Sequence, residues 1–180
     1  MAQTKWFERR FDFGGAQNIF PSVLERLKGT PARLEEKMRS IDPSILTSRI
    51  GDTWSIQENI GHLSDLETLW QQRFDDIRSG RPELSPTDLQ NRRTTEAGHD
   101  ATPLPELLER FRRLRAQTVS MLEGIDEALV FRSAIHPRLK TPMRTQDLFV
   151  FVADHDDHHL ARITELARLH RRADEAPSSY

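Results

Sequence analysis

The 180-residue chain contains no cysteine. This excludes disulfides, thiolate metal ligands and a cysteine nucleophile. It fits a reducing compartment, so a cytoplasmic protein is expected. Long apolar runs are also missing. The first thirteen positions read MAQTKWFERRFDF, and neither a signal peptide nor a membrane anchor is expected from them. No sign of charge dominates: 26 Lys and Arg against 28 Asp and Glu give a formal net charge of −2. That balance gives no global reason to expect nucleic acid or an anionic membrane; the expected partner is a small-molecule substrate, with no nucleic acid and no membrane. There is no internal repeat, no low-complexity run and no period-two alternation of a sheet-forming chain. Any bound metal must use nitrogen and oxygen ligands.

Helical periodicity is abundant. Thr30-Pro31 reads as an N-cap and first helical residue, opening a helix to about Ser40, after a shorter piece from Ser22 to Lys28 that Gly29 ends. Ser55-Ile56-Gln57-Glu58 reads as a capping box that starts a helix to about Ser79. Its apolar arc is Ile56, Ile60, Leu63, Leu66, Trp70, Phe74 and Ile77. A third helix is expected from near Thr102-Pro103 to Leu122, and a fourth from near Thr145 to His170. A short helix is expected from Pro86 to Arg93, and some extended character from Ile45 to Trp54. The fold class is therefore all-α, a four-helix bundle with short additional helices. We take residues 1–172 as one domain and 173–180 as a polar C-terminal tail.

The fourth helix holds His155 and His159, four residues apart. That spacing puts both imidazoles on one face, shared with Leu148, Val152, Ile163 and Leu166. Asp154, Asp157, Glu165 and Arg168 lie roughly opposite. Histidine is no routine filler of an apolar stripe, and two one turn apart make half of a metal site. His62 lies inside the apolar arc of the second helix, so a bundle can bring it against the other two. Three neutral imidazoles leave at least one position on a divalent ion open to water or substrate, as in catalytic sites. His158, a quarter-turn off the stripe, is read as a rim residue or as a support behind the ligands; His99 and His136 fall in loops, and His170 ends its helix.

Around those positions two motifs stand out: Trp54-Ser55-Ile56-Gln57-Glu58-Asn59-Ile60-Gly61-His62, and His155-Asp156-Asp157-His158-His159-Leu160-Ala161-Arg162-Ile163. Together they resemble the DinB-like superfamily of metal-binding four-helix bundles, from about Phe20 to His170. The resemblance implies that His62, His155 and His159 are the metal ligands and that two chains pair as a homodimer; zinc and nickel are the expected ions because both suit imidazole. It also points to a low-molecular-weight thiol as cosubstrate, since some relatives are thiol S-transferases. Arg162 stands where relatives often carry glutamine.

Three functional readings follow. The first is a metal-dependent transferase of small thiols to electrophiles. The thiol would come from outside, as the chain has none. The second is a metal-dependent hydrolase using the same three histidines to hold an ion that acidifies water. The third is a non-enzymatic bundle whose metal is structural. Glu58 reads more simply as the capping-box carboxylate than as a base. Asp65 and Asp156 are read either as partners of ligating imidazoles or as solvated charges. The basic loop His136 to Arg144 is read as a surface loop, or as a site for an acidic substrate. Arg110, Arg112, Arg113 and Arg115 are read as a solvent face, and Trp6, Trp54 and Trp70 as core or interface anchors.

Overall fold

The structure, a computed structural model, describes residues 3–174. Four long helices carry the fold: α1 (Phe20–Arg39), α2 (Ile56–Arg78), α4 (Leu104–Leu122) and α6 (Thr145–Asp174). Two short helices, α3 (Arg92–Glu96) and α5 (Glu127–Phe131), sit in the connections. Both α1 and α2 pack against α4 and α6, so α1 faces α2 across one diagonal of the bundle. The metal-site expectation needed α2 beside α6, and they are neighbours.

Ser55 caps α2 in a full capping box: its hydroxyl accepts from the Glu58 N–H, and the Glu58 carboxylate accepts from the Ser55 N–H at 2.8 Å. Arg49 also donates to Glu58. The carboxylate is thus spent on structure. The apolar arc of α2 is buried, with Leu66 only partly so.

Several elements differ from expectation. Gly29 does not end a helix, and Thr30-Pro31 does not begin one; α1 runs through both. A proline inside a helix frees the carbonyl four residues back, here that of Leu27. The buried Arg115 guanidinium of α4 donates to that carbonyl at 3.4 Å, which helps α1 to continue. The short helix expected at Pro86–Arg93 forms later, as α3 and a 3-10 turn at His99–Ala101. The stretch expected to be extended, Ile45 to Trp54, is instead a 3-10 turn at Pro43–Ile45 followed by turns. An antiparallel hairpin, β1 (Ser133–Ile135) with β2 (Pro142–Arg144), precedes α6. Strands of three residues are too short to display alternation. The C-terminal tail lies outside the described residues from position 175, whereas Ala173 and Asp174 extend α6.

The core falls into two apolar clusters. Among the side chains joining the four long helices is a buried polar layer. Arg115 of α4, 1% exposed along its side chain, pairs with Glu67 of α2 and Asp156 of α6. Thr118 donates to Glu67, and Thr30 of α1 donates to Asp156. Arg115 is therefore no part of a solvent face, and Asp156 is no solvated charge. A guanidinium has five donors in a planar fork, so one side chain can tie α1, α2 and α6 to α4. Burial pushes the Glu67 carboxyl up, against the pull of Arg115. Burial alone would depress Arg115, but its two carboxylates raise it.

Near the N-terminus, Trp6, Phe11 and Phe13 pack on the bundle, whereas Phe7 is 56% exposed.

Candidate metal centre

His62, His155 and His159 are brought together, all buried, with one ring nitrogen from each lying within 4.8 Å of the others. The ring centroids are 5.2 Å apart for His62 and His155, 4.8 Å for His62 and His159, and 4.5 Å for His155 and His159. The cause is local. His62 stands on the apolar arc of α2, and the four-residue gap on α6 aims the other two at it.

Hydrogen bonds decide which nitrogen each ring offers. The Asn59 amide N–H donates to the Ser55 carbonyl at 2.7 Å, which orients its Oδ1 toward Nδ1 of His159 at 2.8 Å. An amide oxygen only accepts, so His159 carries its proton on Nδ1 and a lone pair on Nε2. His62 is held through a relay. The Thr94 hydroxyl donates to Asp65 at 3.0 Å, leaving its oxygen to accept from Nδ1 of His62 at 2.9 Å. Asp65 also accepts from Nε2 of His99 at 2.8 Å. Such partners behind a ligating imidazole fix its tautomer and raise its basicity.

The Nε2 atoms of His155 and His159 face each other at 3.2 Å. Two nitrogens bound to one zinc at 2.0–2.1 Å with tetrahedral angles would be about 3.3 Å apart. The donor set and spacing therefore fit a divalent ion. Nδ1 of His155 has no hydrogen-bond partner among the described residues. Burial holds the rings neutral. It pulls His62 down to about 4 despite Asp65, and His155 and His159 well below 6.5, with the neighbouring imidazoles adding to the effect. Neutral imidazole is the ligating form.

Asp65 is buried and reaches His62 only through Thr94; Asp156 contacts no imidazole and serves Arg115 instead. His99 was expected in a loop as a bystander, yet it is 2% exposed and braces Asp65. It lies so close to α2 that a Cβ at position 61 would sit 2.3 Å from its ring, which explains Gly61. Thr94 and Asn59 were missed by sequence reasoning, though Asn59 belongs to the first motif. Nothing in the local sequence marks Thr94.

The cluster opens into a cavity of about 690 Å³. Trp54 lies against His62, with centroids 4.7 Å apart, and Trp6 and Trp70 lie edge-on to His155 at 5.0 and 5.8 Å. Leu66 and Phe151 continue this apolar wall; Arg73, His136, Arg138, His158 and Arg162 are among its polar positions, together with the carboxylates of Asp88 and Glu165. Arg162 donates to Glu165 at 2.6 Å on the cavity rim. His158 is half-buried and is also pulled to about 4, by burial and then by Arg9 and Arg162.

The arrangement defines a class: a four-helix bundle with imidazoles gathered between two adjacent helices at the floor of an aromatic cavity. The profile of the DinB superfamily matches residues 26–163, and the chain belongs to that superfamily. No curated protein sequence matches it. Among solved structures it is similar to YfiT from Bacillus subtilis, described as a probable metal-dependent hydrolase with an unusual four-helix bundle topology. The TM-score is 0.74 and the identity 22%, over 89% of this chain and 93% of that one. It is also similar to a mycothiol-dependent maleylpyruvate isomerase, with a TM-score of 0.64 and 9% identity over 81% of this chain and 61% of that one. The colibactin self-resistance protein ClbS, solved in complex with double-stranded DNA, matches with a TM-score of 0.64 and 15% identity, over 86% of this chain and 98% of that one. At these identities the likeness concerns the fold. No helix among the described residues is long and apolar enough to cross a membrane.

Proposed function

We propose that His62, His155 and His159 hold a divalent ion, zinc or nickel, and that the protein transfers a small thiol to an electrophile in the adjoining cavity. The observation that carries this reading is the convergence of three neutral, buried imidazoles beside an aromatic cavity. An ion held there would supply a Lewis-acidic point at which a thiol is bound as thiolate. In the net reaction the thiol sulfur forms a bond to the electrophilic carbon, the leaving group departs with its electron pair, and the thiol proton goes to solvent. Asn59 and the Thr94–Asp65 pair orient the rings; Trp6, Trp54 and Trp70 exclude water and offer flat apolar surface to the electrophile. A cavity of about 690 Å³ is of the size that encloses a drug-sized ligand.

Hydrolysis is the second reading, and the likeness to YfiT favours it. It calls for a group to take a proton from water. His158, on the cavity wall, is a candidate base, its ring centroid 5.2 Å from that of His159.

The test begins with metal content by elemental mass spectrometry. The expected result is close to one equivalent per chain in the wild type after reloading, and little in His62→Ala, His155→Ala or His159→Ala. Reloaded protein is then given L-cysteine and monobromobimane. Thiol transfer predicts saturable conjugation above background that chelation abolishes. Metal retention equal to wild type in all three variants would refute the ligand assignment. Turnover of ester or amide substrates without thiol would favour hydrolysis.

A further inference from the structure

At the end of the cavity away from His62, a group of donors has no acceptor. Arg73 of α2 is 1% exposed yet makes no ion pair among the described residues. Its Nε donates to the Ser85 carbonyl at 2.9 Å. Its Nη2 is buried with no partner, and its Nη1 faces Nε2 of His136 at 3.2 Å. Asp76, three residues along, is already engaged by the Ser85 N–H at 2.7 Å and by Arg81 at 3.4 Å. Partial compensation comes from the Trp70 ring, 5.5 Å from the guanidinium carbon. A buried guanidinium without a counter-ion is costly.

His136 sharpens the problem. Its Nδ1 accepts from the backbone N–H groups of Arg138 and Leu139, at 3.2 and 3.1 Å. Burial, with Arg73 and Arg138 adding to it, pulls the ring down to about 4, so it is neutral and has a single proton. That proton must be on Nε2. The 3.2 Å contact therefore sets an imidazole N–H against a guanidinium N–H, two donors and no acceptor. Arg138, on the same wall, likewise has no carboxylate partner among the described residues and lies 5.2 Å over the ring of Phe7.

We propose that Arg73, His136 and Arg138 form a pocket for the carboxylate of a small substrate. A planar carboxylate accepts from a guanidinium fork through two oxygens and can take the His136 N–H as well. Trp70 links this pocket to the imidazole cluster, with its ring against Arg73 on one side and 5.8 Å from that of His155 on the other. The substrate is then an acid whose carboxylate and reacting group are separated by about the span of one aromatic ring. The pocket itself stands on Arg73 and His136; the claim about the reacting end rests on the proposed metal-dependent function.

The test uses metal-free protein in chelator, so that no acid can bind through a metal. Hexanoate and hexanamide are titrated separately and followed by NMR shifts, with the Trp70 indole N–H as reporter. Hexanoate is expected to bind at least about tenfold more tightly than the amide, as charge-assisted hydrogen bonds imply. Arg138→Gln should weaken hexanoate several-fold. Arg73→Met should abolish the preference for acid over amide without lowering the thermal midpoint, because it removes an unpaired buried charge. Equal binding of acid and amide, or an unchanged preference in both variants, would overturn the pocket. Displacement of hexanoate by butyl phosphate at equal concentration would overturn the assignment to carboxylate. Metal content is measured on the same samples. A wild type that takes no metal but prefers hexanoate would sink the metal reading and leave the pocket standing. Stoichiometric metal with no preference for the acid would do the reverse.

Discussion

Asp156→Ala isolates the polar layer that joins the four long helices. The Asp156 carboxylate is fully buried and accepts from Arg115 and Thr30. Its removal takes away three charge-assisted hydrogen bonds and leaves Glu67 as the remaining carboxylate on Arg115 among the described residues. Breaking a buried ion pair by deleting one partner costs about 3–5 kcal/mol. For a domain of this size that corresponds to a fall of roughly 6–20 °C in thermal midpoint. Asp154→Ala is the internal control. It deletes the same charge from the same helix two residues away. There the partner is Arg26, the pair is more than a third exposed on both sides, and the expected cost is below about 1 kcal/mol. The assay is urea unfolding of both variants in chelator, comparing midpoints at unchanged slope. A loss under about 1 kcal/mol for Asp156→Ala, or equal losses for the two, would refute the assignment of a buried, tightly satisfied layer.

Two further outcomes are expected. Thr94→Val removes the hydroxyl between His62 and Asp65, and metal affinity should fall about 10–100-fold while the fold is retained; an unchanged competition titration against a chromophoric chelator would count against the relay. The metal-free protein should lose stability as pH falls. His62, His136 and His158 are pulled to about 4 in the folded chain, chiefly by burial, whereas the unfolded chain titrates near 6.5. Between those values the unfolded state binds more protons, so acid favours unfolding. Urea midpoints should therefore drop from pH 7.5 through pH 5; a flat profile would show that these rings are not held neutral.

Much of this protein is legible in one dimension. The capping box at Ser55–Glu58 and the burial of the α2 arc follow from local rules, because a helix repeats every 3.6 residues and its first turn must find acceptors for its free N–H groups. The same periodicity places His155 and His159 on one face, and the two motifs suffice to suggest the superfamily. Gly29 and Thr30-Pro31 mislead because those local rules weigh a helix in isolation. Arg115, distant in sequence, reaches the carbonyl that Pro31 frees.

Everything that depends on chain segments meeting across the bundle was settled by tertiary structure. A charged residue on a helix reads as solvent-facing until its partners are known, and Arg115, Glu67 and Asp156 find theirs on three different helices. Thr94 and His99 come to the histidine cluster from a connection that carries no periodic signal. The donors of Arg73 and His136 lie 63 positions apart, and only the fold shows that they meet without an acceptor. Periodicity alone outlined the long helices and put three imidazoles on apolar faces. Tertiary packing decided which nitrogens they present, because a tautomer is set by the partner on the far side of the ring.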